Sequence, residues 1–170
     1  MRRARRRRIR SRVERDSLGP VRLPARAYYG AQTARAVRNF PVSGRRLPDS
    51  FLRAHAHIKK AAAETNEALG LLDRRRAGAI RRAASEILAG RHREHFVVDV
   101  FQAGAGTSQN MNLNEVLANR AIAILGGRRG DYGVVHPNDH VNMAQSTNAT
   151  FPSAMRLAIH FELPALLGSL

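Results

Sequence analysis

The sequence predicts a mainly α-helical chain, and three observations carry that prediction. Apolar residues recur at helical spacing in four separate stretches, glycines close three of those stretches, and no alternation of strand and helix patterns runs along the 170 residues. With 44% hydrophobic residues, the chain can bury a core of its own.

Residues 1–15, "MRRARRRRIRSRVER", hold nine arginines, no aromatic residue and no helical stripe, which predicts a disordered basic arm. Further arginines at 74, 75, 76, 81, 82, 91 and 93 fall on helix faces expected to be solvated. The formal charge of +16 therefore has two readings: solvated arginines, or an arm making non-specific contact with nucleic acid. Residues 16–40, punctuated by Gly19, Pro20, Pro24 and Gly30, read as an ordered loop with short turns.

Asp49 or Ser50 can cap a helix carrying Phe51, Leu52, His55, Ile58, Ala62 and Leu69 on one side, and Gly70 is placed to end it. Asp73 caps a second helix through Ile80, Ala84, Ile87 and Leu88, closed by Gly90. "HFVVDVFQ", residues 95–102, is the one strand-like run. A third long helix is expected over residues 108–125, stopped by Gly126 and Gly127. "GDYGVVHPNDHVN" reads as a loop, and from about Pro152 a helical pattern with Met155, Leu157, Ile159 and Leu163 continues.

Several chemistries are excluded by composition and spacing. The absence of cysteine removes disulfides, thiolate nucleophiles and Cys-ligated zinc. No apolar run approaches the roughly 20 residues of a membrane span, and no apolar segment of the secretory kind follows the basic N-terminus, so a cytoplasmic protein without membrane contact is expected. Gly104 and Gly106 could open a dinucleotide fingerprint, but Gln109 stands where the third glycine is needed, and no Gly-Lys-Ser/Thr follows for a phosphate loop. His92 and His95 sit in an arginine-rich turn without a carboxylate placed to complete a metal site, and His55 and His57 point to different helix faces, so no metal or cofactor is expected.

What remains is a pair of polar loop-to-helix junctions. In "GAGTSQNMNLNEVLANRA", beginning at Gly104, small residues let the backbone approach a ligand, and the helix that follows offers first-turn N–H groups. In "QSTNATFPSA", beginning at Gln145, Ser146, Thr147 and Asn148 precede Pro152, which suits the first turn of a helix. Such helix starts bind anions, and a small carboxylate ligand is the physical expectation. Ordinary capping explains either junction alone. The surplus of amides at Asn110, Asn112, Asn114 and Asn119, poor helix formers all, favours a ligand site whose parts are locked by side-chain hydrogen bonds.

These two stretches, with "RDSLG" at 15–19, "YYGAQT" at 28–33 and "HPNDHVNMAQSTNATFPSAMRLA", resemble the N-terminal segment of the fumarase/aspartase superfamily. The resemblance runs from about Arg15 to the end. It implies an α-helical lyase, a homotetramer on a long helical bundle, acting on small dicarboxylates by β-elimination with each active site assembled from three subunits. On that basis residues 16–140 correspond to the lyase N-terminal domain and 141–170 to the start of the central bundle. By resemblance, Gly106 and Thr107 bind one substrate carboxylate, Ser146 and Thr147 the other end, and Asn148 the leaving-group side. His136, Asn138 and Asp139 match a second carboxylate site, with a plain loop-stabilising role as the other reading. The family's acid and base regions have no counterpart in this chain, so no catalytic residue is assigned. Ala149 stands where the family pattern has Asp.

Within the superfamily, Ala105 and Thr147 lean toward aspartate ammonia-lyase, while His136 and the "NRA" and "AMRLA" runs lean toward fumarate hydratase. The preferred expectation is aspartate to fumarate and ammonia, with malate and fumarate as the alternative. A third reading is a non-catalytic basic binding fragment.

Overall fold

A computed structural model describes residues 10–170. It is mainly helical, with one small antiparallel hairpin of β1 (Ser11–Asp16) and β2 (Gly19–Pro24). The register runs from Ser11 opposite Pro24 to Asp16 opposite Gly19. Val21 and Leu23 alternate inward on β2, as a half-buried strand requires. Gly19, at φ 106, allows the tight reversal.

The basic arm expected over residues 1–15 is corrected in its last part. Residues 1–9 lie outside the described residues, but residues 11–15 belong to β1. The reason lies in Arg12, whose guanidinium binds the Glu14 carboxylate and the carbonyls of Ala27 (2.6 Å) and Tyr29 (2.9 Å). It is held inside the fold. Likewise the loop expected over 16–40 contains β2 and the short helix α1 (Ala31–Asn39).

Three helices follow the expected pattern closely. They are α2 (Asp49–Ala68), α3 (Arg74–Leu88) and α4 (Thr107–Ile124). Asp73 caps α3 by accepting the Arg76 N–H, while Gly70, Gly90 and Gly126 all take positive φ where helices end. Asp49 and Ser50 are already helical and do not cap α2, since Pro48 occupies the capping position; Asp49 instead pairs with Arg93.

The strand expected over 95–102 does not form. Asn112 on α4 takes its backbone bonds, accepting the Val97 N–H at 3.0 Å and donating to the His95 carbonyl at 2.9 Å. A side-chain amide replaces the neighbouring strand. The last helix, α5 (Thr147–Leu167), starts more than a turn earlier than the sequence suggests, so Pro152 lies inside it. Part of the expected loop at 130–142 is a π-helical turn, Pro137–Val141.

In the core, α2 packs on both α3 and α5, and α3 packs on α4. Leu113, Val116, Leu117, Ala121 and Ile122 of α4 are fully buried. On α5 only Thr150, Ala154 and Ala158 are buried, while Ile159, Leu166 and Leu167 face outward. Among the described residues, no helix is long and apolar enough to cross a membrane.

Candidate functional site

The first junction is shaped by Gly106. It sits at φ 84 and is buried against Phe151 of α5; a Cβ there would overlap the Phe151 ring. Glycine is required twice, by conformation and by space. Thr107 opens α4 immediately afterwards, exposed, with its hydroxyl bound to nothing among the described residues. The first turn is steadied by Gln102, whose Oε1 accepts the Gln109 N–H at 2.7 Å.

The second junction enters α5. Ser146 caps the helix, its hydroxyl oxygen accepting the Asn148 N–H at 3.2 Å. Ala144, at φ 58, puts a left-handed bend in a non-glycine residue just before it, a conformation that needs surrounding contacts to persist. Thr147 is half-buried, and its Oγ1 accepts from Asn110 Nδ2 at 3.0 Å. A groove of about 580 Å³ lies between the junctions, with Gly104, Ala105 and Gly106 on one side and Asn148, Phe151 and Met155 on the other. The structure thus brings Gly106 and Asn148 to one groove and ties Thr147 to α4. Thr107 and Ser146 adjoin these residues in sequence but do not line the groove.

Beneath the junctions lies a buried polar cluster. Asn142 Oδ1 accepts from Lys59 Nζ (2.7 Å), Asn110 Nδ2 (3.1 Å) and Asn114 Nδ2 (3.3 Å), while Asn142 Nδ2 donates to the Gln145 carbonyl at 2.9 Å. Lys59 and His55, one turn apart on α2, are both fully buried. Burial lowers the Lys59 ammonium to about 7. Burial first, then the Lys59 charge, lowers His55 to about 3. The asparagines of α4 are therefore tethers: Asn119 likewise donates to the Tyr28 carbonyl and accepts the Gly130 N–H at 2.7 Å.

His136, Asn138 and Asp139 form a self-closed turn. His136 Nδ1 accepts the N–H groups of Asn138 (3.3 Å) and Asp139 (3.2 Å), and the His136 N–H is taken by His140 Nδ1 at 2.8 Å. His136 Nδ1 also stands 3.2 Å from the Asp139 carboxylate. This is the loop-stabilising geometry, with Asn138 and Asp139 exposed.

Residues 19–170 match a protein-family model described as "Lyase". The chain belongs to the fumarase/aspartase lyase family. It is 57% identical over 147 residues to a class II fumarate hydratase of Halobacterium salinarum, covering 86% of this chain and 31% of that protein. Among solved structures, it resembles a fumarate lyase:delta crystallin of Brucella melitensis, with TM-score 0.88 and 52% identity over 90% of this chain and 36% of that one. It also resembles a class II fumarase of Schistosoma mansoni, with TM-score 0.84 and 45% identity over 90% of this chain and 32% of that one. The chain spans about a third of the length of the relatives it matches. Against the lean toward aspartate ammonia-lyase from Ala105 and Thr147, relatives at about 50% identity are named as class II fumarate hydratases.

Sequence reasoning missed Lys59, Asn142 and Gln102. One signal was available for Lys59: it falls on the same α2 stripe as Leu52, His55, Ala63 and Asn66, the inward side of the helix. The histidine turn also needs correction, because two carboxylates stand beside it. Ligand atoms of His92, Glu94 and His95 lie within 4.8 Å of one another, and His92 Nε2 meets Glu86 Oε2 at 2.6 Å. That pairing belongs to a structural cluster. Arg120 grips Glu86 at 2.6 and 2.8 Å, and the rings of His92 and His95 meet the Tyr28 ring edge-on, with the Arg129 guanidinium over it at 4.1 Å.

Proposed function

We propose that this chain supplies the carboxylate-binding junctions of a class II fumarate hydratase, which interconverts malate with fumarate and water. The juxtaposition of Gly106 and Asn148 across one groove between two helix starts carries the reading, supported by the names of the relatives. In this reaction a base removes a proton from the carbon next to one carboxylate, and charge grows on that carboxylate as an aci-carboxylate. The hydroxyl on the neighbouring carbon then departs with a proton as water, leaving the double bond. Preorganised O–H and N–H donors stabilise that charge without reorganising.

The Thr107 hydroxyl and the N–H groups of Thr107 and Ser108, which open α4 ahead of the Gln109 N–H held by Gln102, bind one carboxylate beside the bare backbone of Gly106. Ser146 and Thr147 bind the other, and Asn148 faces the leaving hydroxyl. The base and the acid come from outside residues 1–170, and homotetramer assembly brings the outward apolar residues Ile159, Leu166 and Leu167 of α5 into a shared bundle. Ala105 and Thr147 favour a second reading in which the substrate is aspartate and the leaving group ammonia.

One experiment separates these readings. The chain is joined to the C-terminal segment of a class II fumarate hydratase, and fumarate formation from malate is compared with ammonia release from aspartate. Preferential malate dehydration is expected. Faster ammonia release would put the aspartate reading first.

A further inference from the structure

The buried cluster has a direction of hydrogen bonding that its end groups impose. The Gln145 backbone carbonyl can only accept, so Asn142 must present Nδ2 to it and turn Oδ1 inward. Lys59 Nζ, donating to that same Oδ1, agrees with this orientation from the other side. Asn110 must then present its nitrogen to Asn142 Oδ1, and its amide cannot flip without setting oxygen against oxygen. The second hydrogen of that nitrogen goes to Thr147 Oγ1. Thr147 is thus left accepting from the protein, with its own proton uncommitted.

We propose that Asn110 is a positioning residue which, held in one orientation by Asn142, Lys59 and Gln145, makes the Thr147 hydroxyl a dedicated donor to the substrate carboxylate. This rests on the reading of Thr147 as a carboxylate ligand given above. Asn110 itself is 3% exposed and acts only through Thr147. No hydrogen bond closes on its own Oδ1, whose neighbour is the buried ring of His55, itself unpartnered.

The test is a double-mutant cycle in the chain joined to the C-terminal segment of a class II fumarate hydratase, reading KM and kcat for malate together with thermal unfolding. Asn110→Asp keeps shape but replaces the donor by an acceptor, which forces the Thr147 proton back into the protein. Asn110→Leu removes the donor outright and serves if the charged variant fails to fold. Either change is expected to raise KM about 10- to 100-fold with kcat nearly unchanged, the loss of one charge-assisted bond in ground state and transition state alike. Thr147→Val is expected to raise KM by a similar factor. In the Thr147→Val background, the Asn110 change should add nothing to KM.

A purely structural Asn110 would lower the unfolding temperature without moving KM, and this overturns the inference. So does a full additional rise in KM when Asn110 is changed in the Thr147→Val background. In both cases a raised KM for Thr147→Val alone leaves the carboxylate role of Thr147 standing. An unchanged KM in Thr147→Val overturns that role, and the inference with it.

Discussion

The Glu115 carboxylate, buried in the middle of α4, accepts the backbone N–H of Gly30 at 2.7 Å. The same carboxylate takes the N–H groups of Gln32 (3.0 Å) and Thr33 (3.1 Å), so α1 is capped by a side chain from another helix. Gly30 leaves room for this contact, since a Cβ there would meet Glu14 at 2.7 Å and Glu115 at 2.8 Å. Glu115→Gln, which keeps shape but loses charge, should cost about 1.5 to 3 kcal/mol in thermal or denaturant unfolding. Gly30→Ala should be at least as damaging.

Gly106→Ala combines a left-handed backbone penalty of about 1 to 2 kcal/mol with displacement of the Phe151 ring. Unfolding experiments should show a loss above the backbone penalty alone. Phe151→Leu in the same chain should recover the part due to crowding and leave the part due to φ.

His55 makes stability depend on acidity. Its folded value, about 3, lies below the ordinary 6.5, so its contribution is fully present above pH 6.5 and is lost as pH falls toward 3. Across that window the loss runs to about 1.4 kcal/mol per pH unit. Wild type and His55→Leu, compared by urea unfolding at a series of pH values, should differ in slope between pH 6.5 and 3 and run parallel above it.

The Glu86 and Arg120 pair should behave differently. Arg120 and His92 hold the Glu86 carboxyl down at about 2 against the cost of burial, so its contribution is present above pH 4.5 and is lost as pH falls through 2. Arg120→Lys keeps the charge but loses the two-point grip, and about 1 to 2 kcal/mol should disappear at pH 7. That difference should shrink in acid.

The helices were legible because their ends carry chemistry that local backbone demands: Asp73 before α3, and glycines where φ turns positive. The hairpin was hidden because β1 lies in an arginine-rich run, and nothing local distinguishes Arg12, committed to five partners, from arginines left in water. The false strand at 95–102 shows the opposite error. Its apolar run is real, with Phe96 and Val98 buried, but its backbone partners come from Asn112 rather than from another strand. In the site, the amide surplus of α4 signalled hydrogen-bonded tethers, whereas Lys59 and Asn142, 83 residues apart, meet only in three dimensions.

Thr107 gives the most direct test of the carboxylate site. Its hydroxyl is unbonded among the described residues and Gly106 holds the capping position, so Thr107→Val should change stability by less than about 0.5 kcal/mol. In the enzyme completed with a class II fumarate hydratase C-terminal segment, the same change should slow malate dehydration roughly 100- to 1000-fold, as loss of a donor to growing negative charge does. Turnover and thermal unfolding recorded on the same preparation decide the matter. A slow but equally stable variant is the predicted result; a variant with normal turnover would contradict the account.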